Sequence, residues 1–159
     1  MDTLLNLLKQ NARFSNKQLA TMTGTTEAEV AQKISDFEKQ GIIKGYSVIL
    51  DEEKADKDIV TAFIELNVTP QADSGFDKIA KTVMSYDEVE SVSLMSGAYD
   101  LAVIVSGTNL KEIALFVAQR LASIEGVLST ATHFVLKRYK EKGIFIGEEN
   151  VDERDFVSP

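Results

Sequence analysis

Over the first fifty residues the hydrophobic positions recur at helical spacing in three short runs. Leu4, Leu5 and Leu8 share one face of a first helix, which fades over residues 11–13. A second run opens on Ser15-Asn16-Lys17-Gln18, a pattern in which the serine and glutamine side chains satisfy each other's free backbone N–H groups. This helix is expected to bury Leu19 and Met22 and to stop at Gly24, the residue type favoured just past a helix end. A third opens on Thr26-Glu27-Ala28-Glu29, the same box closed by glutamate, turns Val30, Ile34 and Phe37 inward, and ends at Gly41. Opposite that apolar stripe lie Ala28, Gln32, Ser35 and Lys39, so no acid stands at the centre of the outer face. Glu27 and Glu29 fall in the first turn, where negative charge favours the helix dipole.

After Gly41 the pattern turns extended, and residues 51–58 form a charged stretch without periodicity that reads as a linker. Beyond it the period falls to two. A strand over 59–68 puts Val60, Ala62, Ile64, Leu66 and Val68 on one face and is ended by Thr69-Pro70. Phe76, Ile79, Ala80 and Val83 mark a helix, followed by strands over 89–95 and 100–106. Leu110, Ile113, Ala114, Val117, Leu121 and Ile124 mark a longer helix, and a last strand runs over about 127–140. Strand, helix, strand, strand, helix, strand is the order of a ferredoxin-like α/β sandwich. The expected class is α+β: a helical unit over 1–50, a linker over 51–58, the sandwich over 59–142 and an acidic tail over 143–159. The strand at 101–106 is apolar on both faces, which argues that its second face is covered, most simply by self-association.

Charge sharpens this division. The chain of 159 residues carries a formal net charge of -8. Its first fifty residues hold six basic against five acidic side chains, a net +1, which leaves −9 on the remainder. Two modules with different partners are expected. With no cysteine, neither a disulfide framework nor a thiolate metal site can form, and a reducing compartment fits. The start lacks the basic residues and unbroken apolar run of a signal peptide, and no apolar run approaches the roughly 20 residues that span a bilayer. A cytoplasmic protein with no membrane segment is expected.

The catalytic inventory is thin. His133 is the single histidine, no phosphate-cradling glycine loop follows a strand, and most carboxylates fall in the linker, in the tail or on outer helix faces. No enzyme, cofactor or metal is expected. Two features carry more information. Ala20, Gly24 and Val30 have the spacing of a helix-turn-helix, with a small residue where the helices cross, a glycine turn and an apolar lock. Any helical hairpin shares that spacing. Gly97-Ala98-Tyr99-Asp100 sets a phenol and a carboxylate at the mouth of an apolar strand, and a plain hairpin turn favours glycine and aspartate too.

Together these segments resemble the Lrp/AsnC family of transcription regulators over about residues 2–140. LLNLLKQNARFSNKQLA and TGTTEAEVAQKISDFEKQGIIKGYSVIL are similar to the family's first helices, recognition helix and following strand; SVSLMSGAYDLAVIV resembles its G-x-Y-D turn and GVLSTATHFVLK its last strand. The resemblance implies a winged helix-turn-helix joined to a ferredoxin-like, effector-binding and oligomerising sandwich, assembled as dimers and further into an octamer. The implied partners are double-stranded DNA with a near-palindromic operator, an amino acid or related small molecule, and further copies of the chain. The DNA-contacting candidates are Lys17, Thr25, Thr26, Ala28, Gln32, Lys33, Ser35 and Lys39. The effector candidates are Gly97, Tyr99 and Asp100, matched to the family turn, with Ser96, Thr130 and Thr132 added as polar residues on adjoining strands. Asp100 would pair with a ligand ammonium, and backbone N–H groups near Gly97 would take its carboxylate. Lys33 stands where many members carry arginine, which keeps the charge but loses the bidentate fork. His133 and the acidic tail match nothing in the family pattern. Two other readings stay open: a metabolite sensor with weakened DNA binding that acts through protein partners, and a cofactor-free enzyme.

Overall fold

The computed structural model of the chain describes residues 2–55, 58–70 and 75–147. The chain divides into two compact units, Met1–Val48 and Ile49–Pro159. Residues 56–57 of the expected linker and 148–159 of the expected tail lie outside the described residues.

In the first unit α1 (Thr3–Gln10), α2 (Asn16–Thr23) and α3 (Glu27–Lys39) follow the three runs, each started by a side chain that accepts a backbone N–H. Asp2 caps α1, accepting from Leu4 N at 2.8 Å. Ser15 and Gln18 close the box of α2, and Thr26 and Glu29 that of α3. A core of Leu4, Leu19, Ala20 and Val30, flanked by Leu7, Leu8, Phe14, Ile34 and Phe37, holds the helices together. Met22, expected inside, is 50% exposed. The inward row of α2 is Leu19, Ala20 and Thr23, and at helical spacing that row turns Met22 to the outer side. Gly24 ends α2 at φ 68°, a left-handed conformation that glycine adopts without Cβ strain, and its N–H donates to Ala20 O. Residues 42–50, expected to be extended, pair with no strand among the described residues. Tyr46 folds back, its hydroxyl donating to Glu38 Oε1 at 2.9 Å.

The second unit begins at Ile49, two residues before the expected linker, and takes the linker in. Glu52–Ala55 forms one helical turn, α4, closed by N–H groups of Lys54 and Ala55 on Asp51 O. Glu52 Oε1 lies 3.5 Å from Arg138 Nη1, a partner 86 residues away that no local pattern reveals. The strands β1 (Val60–Val68), β2 (Val89–Leu94), β3 (Leu101–Gly107) and β4 (Val127–Phe134) form one antiparallel sheet in the order β2-β3-β1-β4. Helices α5 (Asp77–Met84) and α6 (Leu110–Phe116) cover one face, where Ala62, Ile64, Leu66, Val103 and Val105 are fully buried against Ile79, Val83, Ile113 and Leu121.

Two elements depart from the sequence pattern. The helix after β3 widens into a π turn over Val117–Leu121, where Ala122 N donates to Val117 O at 2.8 Å. Of the expected stripe, Ile113, Val117 and Leu121 are buried, Phe116 joins them, and Leu110 and Ala114 lie outside. The last strand ends at Phe134, well short of residue 140. A small hairpin follows, β5 (Lys140–Glu141) and β6 (Ile144–Phe145), which straddles residue 142, where the sandwich was expected to end. Its two-residue turn is Lys142-Gly143, both at positive φ, as a tight hairpin demands.

Ile64 sits at the centre of the sheet with no exposed area. Ile64→Ala is expected to lower stability by about 2–5 kcal/mol, the usual cost of a cavity in a close-packed core, and a urea titration followed by circular dichroism measures it.

Candidate DNA-reading helix and effector turn

The outer face of α3 is built from its own N-terminus. Thr26 is exposed, and its backbone N–H and hydroxyl both donate to Glu29 Oε2 at 2.8 Å, while Glu29 N donates to Thr26 Oγ1 at 3.2 Å. The Thr26 N–H and then its hydroxyl hold the Glu29 carboxyl below its ordinary value. Beyond the first turn, Ala28, Gln32, Lys33 and Lys39 are exposed and Ser35 is half-buried, so one continuous polar stripe runs the length of the helix. Thr25, in the turn, hydrogen-bonds the Thr23 hydroxyl at 2.8 Å, and Lys17 stands exposed on α2.

Two of these side chains are already engaged within the unit. Lys33 Nζ lies 2.8 Å from Asp2 Oδ2, with the lysine half in solvent. This hydrogen bond, followed by that from Leu4 N, holds the Asp2 carboxyl below the usual carboxylate range. The pair is a surface one, weakened by salt, so a phosphate can compete for the ammonium. Gln32 Nε2 donates to Asp36 Oδ1 at 2.9 Å. Sequence reasoning missed Asp2 as a partner because it belongs to another helix. The spacing of four between Gln32 and Asp36 was visible as a helix-face pair.

The effector candidates converge only in part. Ser96, Gly97, Ala98 and Tyr99 form a hairpin loop between β2 and β3, closed by Met95 N donating to Asp100 O at 2.8 Å. Gly97 has φ 132°, where a side chain would be strained, and no atom lies within 4 Å of the position a Cβ would take. The loop is therefore open to solvent at that point. Asp100 N donates to Leu66 O at 3.0 Å, and Asp100 Oδ2 accepts from Val68 N at 2.8 Å, so this carboxylate ties the end of β1 to the turn. Tyr99 meets Phe63 edge-on, with ring centroids 5.9 Å apart, on the face of the sheet that the helices leave open.

Thr130 and Thr132 do not join them. They pair with Leu66 and Ile64, and directly paired residues point to the same side, so both threonines lie on the helix-covered face. The alternation of a strand shows that its residues take two sides but does not say which side the helices cover. On the open face, His133 pairs with Phe63, and its Nε2 lies 3.3 Å from Glu65 Oε1. Phe63, Ile104 and Tyr99 make this open face apolar at its centre, a feature the sequence announced only through β3.

A small helical unit that exposes a capped polar helix, followed by a ferredoxin-like sandwich with a glycine turn at the β2–β3 end, defines a helix-turn-helix regulator with a ligand-binding module. Comparison with known proteins agrees. The winged helix-turn-helix DNA-binding pattern matches residues 3–44, and that of the Lrp/AsnC ligand binding domain matches residues 61–145. The chain belongs to the Lrp/AsnC family of transcriptional regulators. It is 40% identical over 157 residues to the HTH-type transcriptional regulator YugG of Bacillus subtilis (strain 168), covering 98% of this chain and 95% of that protein. It is 24% identical to the leucine-responsive regulatory protein of Escherichia coli (strain K12) over 138 residues, 87% of this chain and 84% of that one. A transcriptional regulator from Neisseria meningitidis, solved with L-Met, superposes with a TM-score of 0.71 at 25% identity, covering 89% of this chain and 93% of that one.

Two expected outcomes follow from these contacts. Glu29→Gln preserves the box, as Gln18 does in α2, but removes the charge on the helix N-terminus. Because the folded Glu29 carboxyl titrates below its ordinary 4.5, its contribution is complete above that value and fades as pH falls through the lower folded value. The variant should therefore melt below wild type at pH 7, with the difference closing as melts are taken down to pH 3. For Asp100, alanine should cost about 1.5–3 kcal/mol through the lost bond to Val68 N, whereas Asp100→Asn, which can still accept, should cost less; urea titrations separate the two.

Proposed function

We propose that the protein is a sequence-specific DNA-binding regulator whose DNA affinity responds to an amino acid or a related small metabolite, and which works as a symmetric oligomer. The observation that carries this reading is the joining, in one chain, of the exposed stripe of α3 to an Lrp/AsnC ligand binding domain. In each copy α3 lies in a major groove, with Gln32 and Ser35 toward base edges and Lys17, Lys39, Thr25, Thr26 and Lys33 toward phosphates. Ala28 sets the close approach at the start of the helix. Two-fold symmetry makes the preferred operator near-palindromic, with half-sites about one helical turn apart.

The effector is bound at the hairpin loop of Ser96, Gly97, Tyr99 and Asp100. The neisserial neighbour crystallised with L-Met supports an amino acid as the class of ligand. Asp100 already spends one oxygen on Val68 N, so a ligand ammonium meets a carboxylate whose position is preset by the fold. Thr130 and Thr132, on the other side of the sheet, take no part on this reading. The open face around Phe63 and Ile104 is where a second copy packs, and further association toward an octamer extends the assembly. Effector binding shifts the balance between assembled states of different DNA affinity. The chain acts without a cofactor in the cytoplasm, the place in which such regulators meet DNA; among the described residues no helix is long and apolar enough to cross a membrane.

Few cations face the groove, and Lys33 and Gln32 are already engaged, which favours a second reading: a sensor whose DNA binding has weakened and which acts through protein partners. One set of measurements separates the two. Selection of genomic fragments by the purified chain should recover a near-palindromic sequence, bound with a shallow salt slope of about −0.9 per phosphate neutralised. A thermal-shift panel of the twenty amino acids should give one selective stabiliser, by about 2.7 kcal/mol at a hundredfold excess over its Kd. Ile104→Lys, on the open face, should dissociate the assembly and weaken operator binding by about a hundredfold or more through lost multivalency. Amino-acid stabilisation with no preferred DNA sequence would favour the second reading.

A further inference from the structure

Gln32 and Asp36 stand one turn apart on α3, with Gln32 Nε2 donating to Asp36 Oδ1 at 2.9 Å. An ionised carboxylate has no proton to give, so of the two ends of the glutamine amide only the nitrogen can face it. The amide is planar, and its carbonyl oxygen is therefore turned away from Asp36. A free glutamine on an exposed helix face rotates its amide end for end at little cost and offers a groove either a donor or an acceptor. Gln32 does not have that freedom. No other hydrogen bond to its side chain is formed among the described residues, which leaves Oε1 and the second N–H of Nε2 for a ligand.

We propose that Asp36 is a positioning residue for base recognition, which locks the Gln32 amide with Oε1 outward and so selects adenine at one position of each operator half-site. The inference rests on the reading of α3 as the helix that enters the groove. Adenine offers the major groove an N6 amino donor beside the N7 acceptor, which match Oε1 and the remaining N–H together. Cytosine offers its N4 amino group to Oε1 alone and ranks second. Guanine O6 and thymine O4 would meet Oε1 acceptor against acceptor, and the Asp36 charge repels both further. This accounts for an acid placed near the end of a helix that faces a polyanion, where helix-starting chemistry does not apply. A pair that merely braced the helix would leave base preference untouched when altered.

The experiment is selection from randomised duplexes by the full-length wild type, Asp36→Asn, Asp36→Glu, Gln32→Ala and the double variant Gln32→Ala/Asp36→Asn, with circular dichroism melts beside each. Wild type is expected to show one position per half-site at which adenine is favoured by about tenfold or more over guanine and thymine. Asparagine can either accept from Gln32 or donate to it, so Asp36→Asn keeps a hydrogen bond but releases the lock. The preference at that one position should collapse to within about threefold while the others hold and overall affinity stays level or rises. Asp36→Glu, still an acceptor only, should retain the preference. Gln32→Ala should flatten the same position, and adding Asp36→Asn should change nothing further there. A preference that survives Asp36→Asn overturns the inference, as does an Asp36 effect that persists without Gln32 or spreads evenly over all positions. A wild type that selects no sequence overturns the groove-reading role of α3 as well, whereas one that selects a sequence with no Asp36-dependent position overturns this inference alone.

Discussion

The central strand β1 is hydrogen-bonded on both sides, to β3 and β4, and hides every second side chain from water: Ala62, Ile64 and Leu66 expose nothing and Val68 almost nothing. That alternation sets the register of the second unit. A slip of one residue would send this apolar row to the open side and bring Glu65 and Asn67 under the helices, so the pairing is strongly specified. Where β1 ends, its last groups fix the Gly97 turn: Leu66 O accepts from Asp100 N and Val68 N donates to the Asp100 carboxylate. Where its other face looks out, Phe63 takes the edge of Tyr99. The place of the Gly97 loop is thus a consequence of how one strand buries its core face.

The helical unit solves a different problem with few apolar residues. Among the described residues four buried side chains make its core, so the helix ends carry much of the specification. Each helix begins on a side chain that satisfies its free N–H groups, and two of the three do so reciprocally. The same accounting covers most of the acids of this unit. Glu29 closes a cap, Asp36 holds Gln32, Asp2 holds Lys33 and Glu38 accepts from Tyr46. Net charge describes the far field of a protein, whereas contact chemistry depends on where each charge is already engaged. With three of its four carboxylates engaged, α3 presents a stripe of amide, hydroxyl and ammonium groups on its outer face.

Local pattern was a good guide wherever one element's own neighbours decide its state. The two capping boxes, the Gly24 stop, the inward row of α3, the alternation of β1 and the order of the sandwich elements were all legible, because helix caps and side-chain periods act over four residues or fewer. The G-x-Y-D turn and its family could be read as well, through a resemblance spread over most of the chain. Less legible were features in which an element relaxes its ideal geometry. The π turn at Val117–Leu121 has no signature in the side-chain period, and Phe116 went unread as a core residue of the helix that leads into it.

By itself, then, the sequence determined the elements, their caps, their order and the chemical class of the two modules, all of which follow from short-range spacing. The tertiary structure alone decided which side of β4 the helices cover, and with it that Thr130 and Thr132 face away from Tyr99. It alone joined Glu52 to Arg138, Lys33 to Asp2 and Asp100 to Val68. The physical reason is common to these cases. A strand's alternation is symmetric between its two faces and a charge is indifferent to the distance along the chain of its partner, so only the packing of distant segments breaks the symmetry and chooses the pair.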